Sequence, residues 1–581
     1  MFELQTVWKN KQIREHVDVL NGKRSPTKLL YNATYLHGIL KKWIKGNIWI
    51  YGDRIVYAGN KWPELIDETC EQIDCTDYFL VPGYIEPHVH PFQLYNPQTF
   101  SEYASQHGTS VLVNDNLFLF LQNDKKKAFA LLERLQKTPA TLFWWSRFDS
   151  QTELIREEKV FSNSNVKAWL EHDLVVQGGE LTGWPKLLEG NNMILHWMQL
   201  AKKWHKKVEG HFPGASEKTL AKMKLFGVDS DHEAMTGEEV KRRLMHGYTV
   251  SLRHSSIRPD LPKLLREIKE LGPHIYGSIM LTTDGSSPSF YEDGVIDKLI
   301  RIAIEQGVPE IDAYLMATLN PAKYFQLDHM HGLIATGRVA NINFLKHTQN
   351  PRPVSCIAKG KWIRRNDQPV TETTEIPWEQ YGFSLLRIEW ELSADDLQFS
   401  MPLGIEMENA VITKPYSLST NVSGNQLDPL SDESFFMLAD REGKWRVNTI
   451  IKGFVRNIGG FVSSFSSTGD IIFIGKNKQD LVKAFARMKE LGGGIVLFDQ
   501  GKQIFELPLS LNGLFSDEPF EKLVEKEKEL KSILRERGYP FGDPIYSLLF
   551  FSATHLPYIR ITQKGLFDVM KKRVLFPSIM R

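Results

Sequence analysis

Cysteine is scarce in this chain: Cys70, Cys75 and Cys356 are the only three among 581 residues. So few thiols exclude a disulfide framework and a thiolate-built zinc site. They suit a reducing compartment, and a cytoplasmic location is expected. An excess of one charge sign is also missing. Lys and Arg number 71 against 70 Asp and Glu, a net charge of +1, so neither a nucleic-acid partner nor a membrane surface is expected. The apolar run Leu117–Leu121 is too short to span a bilayer, and the first ten residues lack the apolar core of an export signal. No internal repeat or low-complexity tract is evident. What remains is an ordinary globular composition, 42% hydrophobic and 24% charged. The length exceeds one compact domain and predicts about three.

The texture changes along the chain at three places. Residues 1–80 begin with a polar, helical lead-in. They continue as strands and turns, with Gly46–Tyr51 and Arg54–Tyr57 reading as a β-hairpin. Residues 81–334 alternate short apolar strands (Thr109–Asn114, Ala140–Trp145, Leu174–Gln177, Lys207–Glu209, Thr249–Leu252, Ile275–Met280) with helical stretches such as Lys125–Gln136 and Glu292–Gln306. That rhythm predicts an α/β fold with a closed parallel (β/α)8 barrel. An open doubly wound sheet is the alternative, but no Gly-x-Gly-x-x-Gly follows the first strand. Residues 335–379 return to strand-like text and are expected to complete one small β domain with the N-terminal flank. Residues 380–581 read as a separate α/β domain, with strands Ile471–Ile474 and Gly494–Phe498 around a helix at Gln479–Leu491.

In a parallel barrel, functional side chains come from the carboxyl ends of the strands. Read in that order, the strand ends supply His88 and His90, then Glu180, His211, His232 with Glu233, and Asp284. His88 and His90 are two residues apart, so an extended strand points both the same way. Each residue has a bland alternative: a helix cap for Glu180, a turn for His211 or Asp284, a charged surface for His232 and Glu233. The four histidines with Glu180 and Asp284 form a set of four imidazoles and two carboxylates, which suits two divalent transition metals. Metal binding lowers the pKa of water toward neutrality, and a nearby aspartate can carry the proton to a leaving group.

The motifs containing these residues resemble the amidohydrolase superfamily, and within it the microbial adenine deaminases, over nearly the whole chain. Pro82-Gly-Tyr-Ile-Glu-Pro-His-Val-His90 is similar to the superfamily's first-strand motif, and Glu180 to the glutamate that bridges two metals. Gly210-His-Phe-Pro-Gly214, Ser230-Asp-His-Glu233 and Thr283-Asp284 resemble the later motifs. Leu491–Val496, Glu506–Leu509, Gly513–Asp517 and Ile561–Val569 resemble the family's closing domain. The resemblance implies a binuclear centre held by His88, His90, Glu180, His211, His232 and Asp284. It would contain manganese, with iron or zinc as alternatives. The implied reaction converts adenine to hypoxanthine and ammonia, with Asp284 shuttling the proton, Glu233 on the purine ring and Arg253 binding substrate.

The chain departs from the adenine deaminase pattern at Pro91–Tyr95, Asp115–Phe118, Arg253–Ser256 and Ser463–Asp470. The last of these lacks both histidines of the family motif. These positions bear on the substrate more than on the metal ligands. A related hydrolase of another purine, amidine or cyclic amide is therefore one alternative, and a non-catalytic ligand-binding paralogue is another. No Pro-Cys-x-x-Cys is present, which excludes the zinc deaminases that act on nucleic-acid bases. A small-molecule substrate is expected, and homo-oligomerisation is left open.

Overall fold

The computed structural model describes residues 8–370, 373–418 and 422–581. Eight parallel strands form its centre: β1 (Tyr84–Val89), β2 (Thr109–Asn114), β3 (Thr141–Ser146), β4 (Val175–Leu181), β5 (Lys207–Gly210), β6 (Ser230–Asp231), β7 (Thr249–Arg253) and β8 (Ile279–Thr282). Each pairs with its neighbour in chain order, the arrangement that the alternation of strands and helices predicted. Every residue of β1, β2, β3 and β8 is buried, as expected for strands covered on both faces. The last strand starts later than its apolar text suggests, because Pro273–Ser278 winds into a 3-10 helix first.

The connecting helices begin where the sequence supplies an acceptor. Asn96, Asp124, Ser162, Asn191, Ser216 and Thr236 each accept from backbone N–H groups of the first helical turn. The strand-to-helix loops that precede these caps surround one end of the barrel, the end where the candidate residues lie.

The seam between β1 and β8 is tied by a buried carboxylate. Glu86 on β1 accepts from Thr282 Oγ1 (2.7 Å), Thr283 N (3.0 Å) and Thr283 Oγ1 (2.6 Å). The His88 carbonyl oxygen, 2.8 Å from Thr282 Oγ1, is the alternative acceptor for that hydroxyl's one proton. The two strands that carry His88 and Asp284 are thus fixed to each other by their own side chains.

Strands from both flanks of the barrel share a second sheet. Phe79–Pro82 pairs antiparallel with Ile342–Leu345, joining the N-terminal strands Lys28–His37, Lys42–Tyr51 and Arg54–Gly59 to Ser355–Ala358 and Lys361–Arg365. The expected hairpin is its Lys42–Tyr51 and Arg54–Gly59 pair. Gly83 links this sheet to β1. A Cβ at Gly83 would stand 2.2 Å from Ser110 Oγ, which accounts for the Pro-Gly step at the barrel's entry. The polar lead-in contains a helix, Asn10–Leu20, and its first seven residues lie outside the described residues.

A third, nine-stranded sheet occupies residues 403–580. Helix Lys478–Leu491 packs on it and ends at Gly492, whose φ of +72° is the left-handed cap that glycine supplies. From this lobe, helix Pro544–Phe550 reaches the barrel, where Tyr546 Oη donates to the Gly285 carbonyl at 3.2 Å. Among the described residues, no helix is long and apolar enough to cross a membrane.

Candidate metal centre

All six residues expected as ligands converge at the carboxyl end of the barrel. His88 Nε2 and His90 Nε2 lie 3.3 Å apart, so the two positions of the opening strand do face the same way. Asp284 Oδ1 is 3.3 Å from the first and 3.4 Å from the second. Glu180 Oε1 sits 2.6 Å from His211 Nδ1 and 3.4 Å from His232 Nε2, while its Oε2 lies 3.9 Å from His90 Nε2. Three overlapping groups form, each with one ligand atom per residue and all such atoms within 4.8 Å: His88–His90–Glu180, His88–His232–Asp284 and Glu180–His211–His232.

The bland alternatives fail on particular observations. Glu180 is not a cap, because the next helix starts at Trp184 after Gly183, whose N–H is taken by Asp149. His232 and Glu233 are buried, with relative exposures of 1% and 3%. Asp284 does occupy a turn, at φ +55° before Gly285, but its carboxylate points into the cluster. Aspartate is among the residue types that tolerate this conformation best.

A surrounding layer, to which the strand-end reading assigned no role, orients the imidazoles. Glu209 on β5 takes the outer nitrogens of two histidines, His88 Nδ1 at 2.8 Å and His232 Nδ1 at 3.3 Å. It also accepts from Gln177 at 2.8 Å. Asp115, just beyond β2, takes His90 Nδ1 at 2.8 Å. With their outer nitrogens bound to carboxylates, three imidazoles are turned so that Nε2 faces inward, the arrangement metal-ligating histidines adopt. Trp145 stacks on His88 at 4.4 Å between ring centroids and excludes water from its outer face. Glu209 was detectable from its position at the carboxyl end of β5, two residues before His211.

Charge inside the cluster is balanced by buried guanidiniums. Arg147 donates to both oxygens of Asp115 at 2.9 and 2.5 Å and lies 2.8 Å from Glu180 Oε2. Burial works against the Glu180 charge, but Arg147 and His211 hold the carboxyl well below its ordinary range. Arg253, on β7, bridges Glu233 (2.6 Å) and Asp284 (2.7 Å) through one nitrogen. Arg258 adds a contact to Glu233 Oε2 at 2.6 Å. Burial again opposes the charge on Glu233, yet these guanidiniums, Arg253 foremost, bring its carboxyl down to about 2.

Two predictions follow from this geometry. Glu209→Gln removes the charge that orients two imidazoles, and metal affinity is expected to fall about 10- to 100-fold, measured by competition with a chelator. The second concerns protons. Burial lowers the pKa of His88 and His90, but Glu209 beside the first and Asp115 and Asp284 beside the second outweigh it, and both rise to about 9. In protein stripped of metal these imidazoles hold protons below that pH, so metal uptake releases protons. Apparent metal affinity should weaken as pH falls below about 9, followed by titration calorimetry in buffers of different ionisation enthalpy.

The cluster opens onto a cavity of about 240 Å³, below the roughly 300–1,000 Å³ of pockets for drug-sized ligands and suited to a small one. Its barrel wall includes Phe92, Gln93, Leu117, Phe118, Gln151 and Arg253. Its roof comes from the C-terminal lobe, with Val411, Leu549, Phe550 and Leu556. Three of the four segments that depart from the adenine deaminase pattern contribute departing residues to this lining: Phe92 and Gln93, Leu117 and Phe118, and Ser467.

A parallel barrel with histidines and carboxylates gathered at its strand ends defines a hydrolase of the class that works on C–N bonds with a divalent metal. The amidohydrolase family pattern matches residues 79–363, and the adenine deaminase C-terminal domain matches residues 410–573. Two relatives are 55% identical and bear the name putative adenine deaminase. They are BH0637 of Halalkalibacterium halodurans, matched over 100% of both chains, and YerA of Bacillus subtilis, matched over 99% of both. The adenine deaminase of Kosmotoga olearia is 27% identical, over 95% of this chain and 97% of its own. The chain belongs to the amidohydrolase family, in the branch that carries the adenine deaminase C-terminal domain.

Proposed function

We propose that this protein is a cytoplasmic, metal-dependent enzyme that hydrolyses adenine to hypoxanthine and ammonia. One observation carries the reading: four imidazoles and two carboxylates converge, with three outer imidazole nitrogens bound to carboxylates, at the floor of a small and mainly apolar cavity. The names of the relatives support the choice of substrate.

His88, His90, Glu180, His211, His232 and Asp284 would hold two divalent cations, manganese in the first instance and iron or zinc as alternatives. Such cations, when bound, lower the pKa of water toward neutrality and polarise the group under attack. The residues do the rest. Asp284 takes one proton from the attacking water and delivers it to the departing amine, and the second proton of that water passes to ring nitrogen N1, so water and adenine leave as hypoxanthine and ammonia. Glu233, ionised between Arg253 and Arg258, accepts a hydrogen bond from a ring N–H rather than giving up a proton. Arg253 holds Glu233 and Asp284 in register and lines the cavity.

A second reading, a related hydrolase acting on another purine, an amidine or a cyclic amide, is favoured by one observation. Phe92, Gln93, Leu117, Phe118 and Ser467, from segments that depart from the adenine deaminase pattern, all line the cavity. The test is to strip the protein, reload it with manganese, measure metal per chain and follow ammonia release. About two metals per chain with ammonia from adenine is expected. Two metals with adenine untouched overturns the adenine reading, and ammonia from other bases in the same screen identifies the second. A chain that binds no metal overturns both.

A further inference from the structure

We propose that His555, held in the barrel mouth by the C-terminal lobe, hydrogen-bonds the edge of the heteroaromatic substrate and makes that lobe part of the specificity pocket. The proposal rests on the reading of this cavity as a site for a purine-like base.

His555 follows the lobe's helix Pro544–Phe550 and lines the cavity. Its ring stands edge-on to His211 at 5.3 Å and to Phe550 at 5.8 Å between centroids. It therefore lies one ring away from the metal cluster and has no place in the ligand set. Its Nδ1 is buried without a hydrogen-bond partner. Nearby, Tyr546 is engaged with Gly285 O, Gln151 with Glu180, and His211 with Glu180, while Ser467 Oγ, also in the lining, is buried without a partner. A buried nitrogen left without a partner is unfavourable, and such groups are rare unless a ligand or water completes them.

The surroundings indicate which ligand would complete it. Beside Tyr546 and Ser467, the roof is apolar, built from Val411, Leu549, Phe550, Ala553 and Leu556, so packing alone has no need of an imidazole there. An apolar slot with isolated polar groups selects a flat body with nitrogen atoms at its edge. A neutral imidazole offers one donor and one acceptor, matching a ring nitrogen beside an amino group. On the barrel wall Gln93, 5% exposed, also has a buried Oε1 without a partner. Two lone amide or imidazole groups, one from each lobe, suit a base bound between them.

The test uses manganese-loaded full-length protein as wild type, His555→Phe and His555→Gln, with metal content measured in each. Phenylalanine keeps the ring that packs on His211 and Phe550 but removes both nitrogens. Glutamine restores a donor and an acceptor. Purine, which has no amine to lose, gives Kd by calorimetry, and adenine gives kcat and KM in the same preparations. We expect the purine Kd to rise about tenfold in His555→Phe, the size of one good hydrogen bond, and to recover in His555→Gln with metal content constant. An unchanged Kd in His555→Phe overturns the contact, and so does a weakening that tracks metal loss. A wild type that binds purine but leaves adenine untouched overturns the adenine reading alone, and the Kd comparison still decides His555. A wild type that binds no purine overturns both.

Discussion

Asp284→Asn is expected to lower kcat by about 10²- to 10⁴-fold, the usual contribution of a positioned general acid–base, while the protein stays folded. The substitution keeps the side chain's shape, and Asp284 contributes nothing to a hydrophobic cluster. Its Oδ1 lies 3.3 and 3.4 Å from the inward nitrogens of His88 and His90. Its Oδ2 lies 2.7 Å from Arg253. Burial opposes its charge, but Arg253, followed by the two histidines, keeps the carboxyl well below its ordinary range. The wild-type residue is therefore an ionised base beside the place where water would be activated. Asparagine can still offer an oxygen to the cation but cannot accept the proton. Kinetics read together with metal content separate the two contributions. A fall in kcat with metal unchanged assigns proton transfer to Asp284. A fall that follows metal loss assigns ligation only, and wild-type kcat removes Asp284 from the reaction.

The barrel was legible because its periodicity is local. Runs such as Thr109–Asn114 are apolar over one strand's length and coincide with β2, and caps such as Asn96 and Asp124 mark where the helices restart. The convergence of the six candidate ligands was legible for a related reason: a parallel barrel brings successive strand ends together whatever lies between them. The buried cations were not. Arg147 follows β3 at Trp145-Ser-Arg147, a strand end that a search for metal-ligating side chains passes over, and its meaning depends on Asp115 and Glu180, 32 and 33 residues away. Asp115 opens a segment read as a departure for the residues after it, and no role was assigned to the aspartate itself, yet it takes the outer nitrogen of His90. The roof of the cavity was least legible. Tyr546 and His555 reach a site more than 250 residues earlier in the chain, and no local pattern records a contact of that range.

The same buried cation gives the other large effect. Arg147→Met is expected to destabilise the protein by about 3–5 kcal/mol, the cost of removing one partner from a buried ion pair. Arg147 has no side-chain exposure, and Asp115 and Glu180 have 6% and 3%. Methionine fills much of the volume but leaves two carboxylates close together in an apolar interior. Lysine would not repair this, because a single ammonium cannot reproduce the two-pronged grip on Asp115. The pH dependence carries a definite sign. Burial opposes the Asp115 and Glu180 charges, but Arg147 depresses both carboxyls below their unfolded values. Their stabilisation is therefore present above the unfolded carboxylate pKa, about 4, and is lost as pH falls through the depressed folded values. In Arg147→Met the two pKa values rise, so the deficit relative to wild type is largest near neutral pH and shrinks toward pH 4. Denaturant unfolding at pH 7.5 and pH 4.5 measures both points. Metal adds a further distinction, because a cation held by Glu180 would supply the positive charge the variant lacks. The deficit should be smaller in manganese-loaded protein than in stripped protein, and equal deficits in the two would show that Glu180 is not a ligand.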